Sequence, residues 1–133
     1  RRCAVGRLPC SLYRGLPGKL RSVARAKYEA PPSDAELAAF GMKRSDYAKD
    51  IVLLWPETEP VWSVWEQIRN QWRAGAAGAY ALDYNVLFYL LDRMGLSPED
   101  HQELFDGIRV IEAEVLAIWM EEREAEDKKR AKT

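Results

Sequence analysis

Thr58-Glu59-Pro60-Val61-Trp62-Ser63-Val64-Trp65-Glu66-Gln67-Ile68-Arg69-Asn70-Gln71-Trp72-Arg73 is the stretch whose reading decides the fold class. Val61, Trp65, Ile68 and Trp72 recur at spacings of four, three and four, which is one face of an α-helix. Trp62 stands beside this stripe, so the apolar face is broad. Thr58 is placed to cap the helix, with Glu59 and Pro60 in its first turn. The spacing predicts a helix that ends near Arg73, before Gly75.

Downstream, Gly75-Ala76-Ala77-Gly78-Ala79 reads as a small-residue loop. Asp83 is a cap for a helix carrying Leu87, Leu90, Leu91 and Met94, with Gly95 as its terminator. Ser97-Pro98-Glu99-Asp100 is a strong helix start: a cap, a first-turn proline and two acids at the positive end of the dipole. The last helix is expected to bury Leu104, Ile108, Ile111, Val115 and Trp119. Charges of both signs then alternate over Glu121–Lys132 and no apolar face remains, so this tail is expected to fray or to be helical only on a partner.

Upstream, Ile51-Val52-Leu53-Leu54-Trp55 is short, apolar and closed by Pro56, which suits a buried extended segment or a lone strand as well as a helix end. Ser45-Asp46-Tyr47 can open a single turn. Ser33 with Glu36 forms a capping box for a short helix running to Phe40 and ending at Gly41, with Leu37 and Phe40 on one face. Pro31 and Pro32 stop a short helix around Leu20–Tyr28, and the rest of the N-terminal third reads as irregular. The resulting expectation is a mainly α protein: a small three- or four-helix orthogonal bundle over 29–120. An irregular basic arm over 1–28 precedes it, and a charged tail over 121–133 follows.

Composition suits that reading. The chain has 133 residues, 47% hydrophobic and 31% charged, and a formal net charge of −1. It can bury one modest core, and its total charge gives no reason to expect nucleic acid or membrane as the main partner. The charge is unevenly spread, however. Arg1, Arg2, Arg7, Arg14, Lys19, Arg21, Arg25 and Lys27 precede the first acid, Glu29. Such a basic arm binds phosphate in a salt-dependent way or orders on an acidic protein partner. Tyr13 and Tyr28 are too sparse for a base-stacking platform. Cys3 and Cys10 read as free thiols in a reducing cytosol, forming neither a disulfide framework nor a zinc site. No apolar run approaches a membrane span or a secretory signal core. The first residue is not methionine, which fits a trimmed N-terminus or a segment read on from something upstream.

Nothing in the sequence assembles a catalytic site. His101, the lone histidine, falls in the acidic first turn of the last helix, where a surface position is expected. The acid pairs Glu57/Glu59, Glu99/Asp100 and Glu112/Glu114 fall at helix starts or on outward faces, and solvated positions are expected for them. The Gly75–Gly78 segment lacks the Gly-Lys-Ser/Thr of a phosphate-binding loop, and no cofactor or metal motif is present. Of Trp55, Trp62, Trp65, Trp72 and Trp119, most are expected in the core, with one or two left as exposed anchors for a protein partner.

Trp55-Pro56-Glu57, a helix, Gln71-Trp72-Arg73-Ala74-Gly75-Ala76-Ala77-Gly78 and then Leu82-Asp83-Tyr84 together resemble a family of phage-related proteins of unknown function. Its members come from the tail-gene clusters of long, flexible-tailed phages and prophages. The family pattern reads Trp-Pro-Glu, a helix, Gln-Trp-Arg-x-Gly-x-x-Gly and Leu-Asp-Tyr. Ala35–Gly41 and Leu104-Phe105-Asp106 resemble it too, so that the likeness covers roughly residues 28–120. The chain departs from the pattern at Ala81, where Gly is expected.

The resemblance implies a tail-assembly role in the host cytoplasm and no catalytic residues. Many such phages make a tail-assembly chaperone in a short form and a frameshift-extended form; the extension is thought to recruit tail tube subunits while the shared part coats the tape-measure protein. The composition break near residue 28 and the absence of an initiating methionine suit an extension segment.

The leading expectation is therefore a tail-assembly chaperone, or the extension part of one, that binds tail tube protein, tape-measure protein or both. Trp62, Arg73, Tyr80 and Tyr84 are the expected contact residues, and Trp55, Pro56, Trp72, Gly75, Gly78 and Asp83 the structural motif. Arg73 is expected to pair with Asp83 or to cap carbonyls. The alternatives are a completion or connector protein that stays in the particle, and a small nucleic-acid-binding regulator that uses the basic arm.

Overall fold

The computed structural model describes residues 15–47 and 54–133, and among these five α-helices and one two-stranded sheet carry the fold. Cys3 and Cys10, and residues 51–53 of the expected extended segment, lie outside the described residues.

Helix α1 spans Leu16–Tyr28, with Pro17 in its first turn and Arg25 and Lys27 in its last, where they complement the dipole. Its buried residues are Leu16, Leu20, Val23 and Ala24, spaced as one helical face. The N-terminal arm expected to be irregular is thus an amphipathic helix from Leu16 onward, and its stripe is part of the main core. Two of its cations meet acids of the same chain. Lys19 bonds Glu57, and Arg25 bonds Glu29, Glu114 and Glu121. Arg25 holds the Glu121 carboxyl below its ordinary range through those hydrogen bonds. Within the described residues, Lys19 and Arg25 of α1 thus find carboxylates on the rest of the chain.

Helix α2 spans Asp34–Ala39 and has the expected capping box: the Ser33 hydroxyl accepts from the Glu36 amide, and the Glu36 carboxylate accepts from the Ser33 amide. Gly41 follows with φ of 71°. Leu37 is buried, whereas Phe40 is 83% exposed at the C-cap, so the two do not share a covered face. A single 3-10 turn covers Arg44–Asp46, where one turn was expected. Leu54 and Trp55 are in irregular backbone and partly exposed.

Helix α3 spans Glu59–Ile68 and buries Val61, Trp62, Val64, Trp65 and Ile68. Thr58 stands at its N-cap, but its hydroxyl donates backward to the Trp55 carbonyl at 2.7 Å and does not cap the helix. The helix stops one turn before the position the spacing predicts. Trp72 lies on strand β1, Trp72–Gly75, which pairs antiparallel with β2, Gly78–Leu82. The segment read as a small-residue loop is therefore the tip of a β-hairpin.

Helix α4 spans Tyr84–Arg93. Asp83 caps it by accepting the Asn85 amide at 3.0 Å, and Gly95 follows with φ of 65°, as its sequence signals require. Helix α5 spans Pro98–Lys132 and starts at Ser97, whose hydroxyl accepts the Asp100 amide at 3.2 Å. The charged tail expected to fray continues this helix to Lys132 with its side chains exposed. Glu, Ala, Lys and Arg are strong helix formers. Glu124 precedes Lys128, and Glu126 precedes Arg130, by four residues in the favourable order. No helix among the described residues is long and apolar enough to cross a membrane.

The mainly helical class stands, with the hairpin added to it. α1, α3, α4 and β2 all pack on α5, which presents Leu104, Ile108, Ile111 and Val115 to the shared core. Gly107 is a point of close approach within the core: a Cβ there would lie 2.8 Å from a Val61 methyl and 3.4 Å from Leu20 Cδ1.

Candidate functional site

The hairpin tip rises beside the second half of α5, and the space between them is the candidate site. Two alanines, Ala76 and Ala77, form the turn between the paired Gly75 and Gly78. Among the described residues no non-glycine residue has positive φ, so the two alanines stay in ordinary backbone regions. Gly78, with φ of 99°, takes the conformation that an alanine would resist. Further along, Arg73 pairs with Ala81 and Ala74 with Ala79, which leaves Tyr80 as the extra residue of a β-bulge. Bulges re-aim a side chain. The Tyr80 ring lies beside Gly75 and is 61% exposed.

Residues Gly75–Tyr80 form one wall of a cleft of about 690 Å³, and Leu116, Trp119, Met120 and Arg123 of α5 form the other. Met120 is 62% exposed, as open to solvent as Tyr80 across from it. Trp119 is half-buried and anchors this wall. Its ring centroid is 4.9 Å from that of Trp72, which itself donates to the Arg69 carbonyl at 2.6 Å. The hairpin is thereby tied to α5 at its base and open at its tip.

Glu112 secures the base. This carboxylate is 8% exposed and accepts the Leu82 amide at 2.7 Å and the Tyr84 hydroxyl at 2.6 Å. Burial, followed by the bond to Glu112, raises the Tyr84 hydroxyl above its ordinary range. A second tie lies at the other end of α3. The Trp55-Pro56-Glu57 turn delivers Glu57, 6% exposed, to Lys19 of α1, and Lys19 Nζ also stands 5.8 Å from the Trp55 ring centroid.

The expected contact residues separate in space. Tyr80 lines the cleft. Arg73 is exposed on the hairpin, with a guanidinium nitrogen 3.7 Å from Asp83 Oδ1, in the pairing expected of it. Tyr84 is held at the hairpin base by Glu112. Trp62 is 4% exposed and belongs to the core, its indole donating to Glu66 at 2.9 Å while Lys27 stands over its ring at 5.0 Å. The open surface position expected for Trp62 is not what the structure shows, since its ring lies in the core beside Lys27 of α1.

Three acids expected in solvent are buried instead: Glu57, Asp100 and Glu112. Glu57 and Glu112 each face a donor from another element, which local sequence does not reveal. His101 sits on α5 with Nε2 3.1 Å from Asp92 Oδ1 and its ring stacked on Phe88 at 6.0 Å. The cleft itself presents apolar walls, exposed aromatic and thioether groups, and one guanidinium.

A family model described as "Phage related hypothetical protein (DUF1799)" matches residues 40–119, more than half of the chain. No curated protein and no solved structure matches. The matched span takes in α3, the hairpin, α4 and the part of α5 that ends at Trp119.

Proposed function

The chain belongs to this phage-related family, and from that premise we propose that it is a tail-assembly chaperone-like protein working in the host cytoplasm. It binds tail tube protein, tape-measure protein or both through protein–protein contacts, and shields their apolar surface until the tube polymerises. The observation that carries this reading is the open cleft between the hairpin tip and α5, with Tyr80 and Met120 exposed on its two sides. Exposed aromatic and thioether groups beside an apolar concavity are the groups that anchor protein contacts. A single cleft of this size suits binding weak enough to be reversed, as an assembly factor requires.

The test is size-exclusion chromatography with light scattering on the protein alone and mixed with the tail tube protein encoded beside it. A complex that forms with unpolymerised tube protein and disappears on polymerisation is expected. Absence of any complex with folded, monomeric tube protein overturns the reading. The protein's presence in purified particles at fixed copy number would instead make it a structural tail component.

A further inference from the structure

We propose that the cleft between the hairpin tip and α5 takes a short segment of a partner protein in which a bulky apolar side chain is followed closely by a carboxylate. This rests on the protein-binding reading above and adds the chemistry of what is bound.

Two observations on opposite sides of the cleft carry it. The first is the composition of the walls. Ala76, Ala77 and Ala79 leave room on the hairpin side, and Leu116, Trp119 and Met120 make the α5 side apolar. Such a space readily admits a large apolar side chain together with its neighbours, and its aromatic walls favour an aromatic or a branched aliphatic group.

The second is Arg123, which borders the cleft on its α5 side. Its guanidinium lies against the hairpin turn, where a Cβ on residue 78 would come within 2.6 Å of an Arg123 nitrogen. Only a glycine at the turn leaves the guanidinium this place. Among the described residues Arg123 makes no ion pair or side-chain hydrogen bond. Glu126 and Asp127 stand three and four residues further along the same helix and form no ion pair with it. Arg25, by contrast, meets three carboxylates. The guanidinium thus offers a planar, forked set of donors at the edge of an apolar cleft, and a carboxylate is the group that matches it with two parallel hydrogen bonds. An apolar group alone would cover the walls and leave this charge unmatched; an acid alone would leave the apolar walls uncovered.

The experiment uses the full chain labelled with nitrogen-15 and two capped peptides, acetyl-Gly-Leu-Phe-Glu-Gly-amide and the same peptide with Gln in place of Glu. Amide shifts of Gly75–Tyr80 and Trp119 and the side-chain signal of Arg123 are followed during titration, for the wild type and for Arg123→Gln. The Glu peptide is expected to shift these signals, the Gln peptide to bind about tenfold more weakly, and Arg123→Gln to erase the difference between them. Equal affinity of the two peptides for the wild type overturns the carboxylate preference. Failure of both peptides to shift the cleft signals overturns the occupant altogether. A parallel run of tube protein on wild type and Arg123→Gln separates the two levels of the argument. A complex that forms equally with both leaves the chaperone reading standing and removes the cleft chemistry, whereas no complex with either removes the chaperone reading itself.

Discussion

Glu112 on α5 accepts the backbone N–H of Leu82 on β2 at 2.7 Å, a side chain closing the outer edge of a two-stranded sheet. A lone hairpin is marginal in water, and this carboxylate is one of the ties that fix it to a rigid helix. Its second bond, from the Tyr84 hydroxyl, serves the start of α4 as well. Glu112→Ala leaves a buried N–H without an acceptor and is expected to cost about 3 kcal/mol, because a bond to a charged acceptor and the desolvation of its donor are lost together. Glu112→Gln keeps one oxygen and is expected to cost less. Urea denaturation of both variants checks the order.

Gly107 is required by packing rather than by backbone conformation. A helix interior ordinarily gains from Gly→Ala by about 1 kcal/mol. Here the new methyl would stand 2.8 Å and 2.9 Å from the two Val61 methyls, which sit on a short branched side chain with little room to give. Overlap outweighs propensity, and Gly107→Ala is expected to destabilise by about 2 kcal/mol. Val61→Ala is expected to be less harmful in the Gly107→Ala background than in the wild type. A double-mutant cycle showing strict additivity would contradict the contact.

Glu103 supplies a pH-dependent prediction. Burial first, and then Asp100 and Asp106, raise its carboxyl above the ordinary range, and its Oε2 is buried without a hydrogen-bond partner. A carboxyl with a folded pKa above its unfolded one contributes fully below the unfolded value, and that contribution is lost as pH rises through the folded value. Glu103→Gln is therefore expected to raise the melting temperature by roughly a few degrees at pH 7. The gain should vanish below about pH 4, where the carboxyl is neutral in both states. Thermal scans at the two pH values decide it.

Tyr80 separates stability from binding. Its ring is 61% exposed and stands at a bulge, so Tyr80→Ser should change stability by less than about 0.5 kcal/mol. If the cleft binds protein, the same substitution weakens the complex with its partner by about tenfold. Loss of folding in this variant, or unchanged binding, would count against the site.

Several elements could be read from sequence because their signals are local. The Ser33–Glu36 box, the Asp83 cap, the Gly95 terminator and the Ser97-Pro98 start each depend on residues within one turn, and each stands in the structure. The hairpin escaped because Trp72 follows Ile68 by four residues, so the apolar period runs on after the helix has stopped. Two glycines around two alanines also look like any loop until the strands beside them are paired. The burial of Glu57 and Glu112 depends on partners 28 to 38 positions away, which no local pattern carries, and the bulge at Tyr80 shows only once β1 and β2 are paired. Helix α1 was obscured by its basic charges, whose acidic partners lie on α5 and in the turn before α3. Of the four residues expected to make contacts, Tyr80 alone lines the cleft, while Trp62 is buried in the core cluster.

The position of α5 has a consequence for how this chain comes into being. Apart from the pairing of the two strands, every extensive contact between elements involves α5, and α5 is the last of them to be synthesised. A nascent chain that has emerged only as far as α4 lacks the helix against which most of its apolar stripes are buried. Its core can condense only after the Leu104–Val115 stretch has cleared the ribosome, which makes folding a late and nearly simultaneous event. A stop codon anywhere before that stretch would release a chain without a core, fit for proteolysis rather than for partial activity.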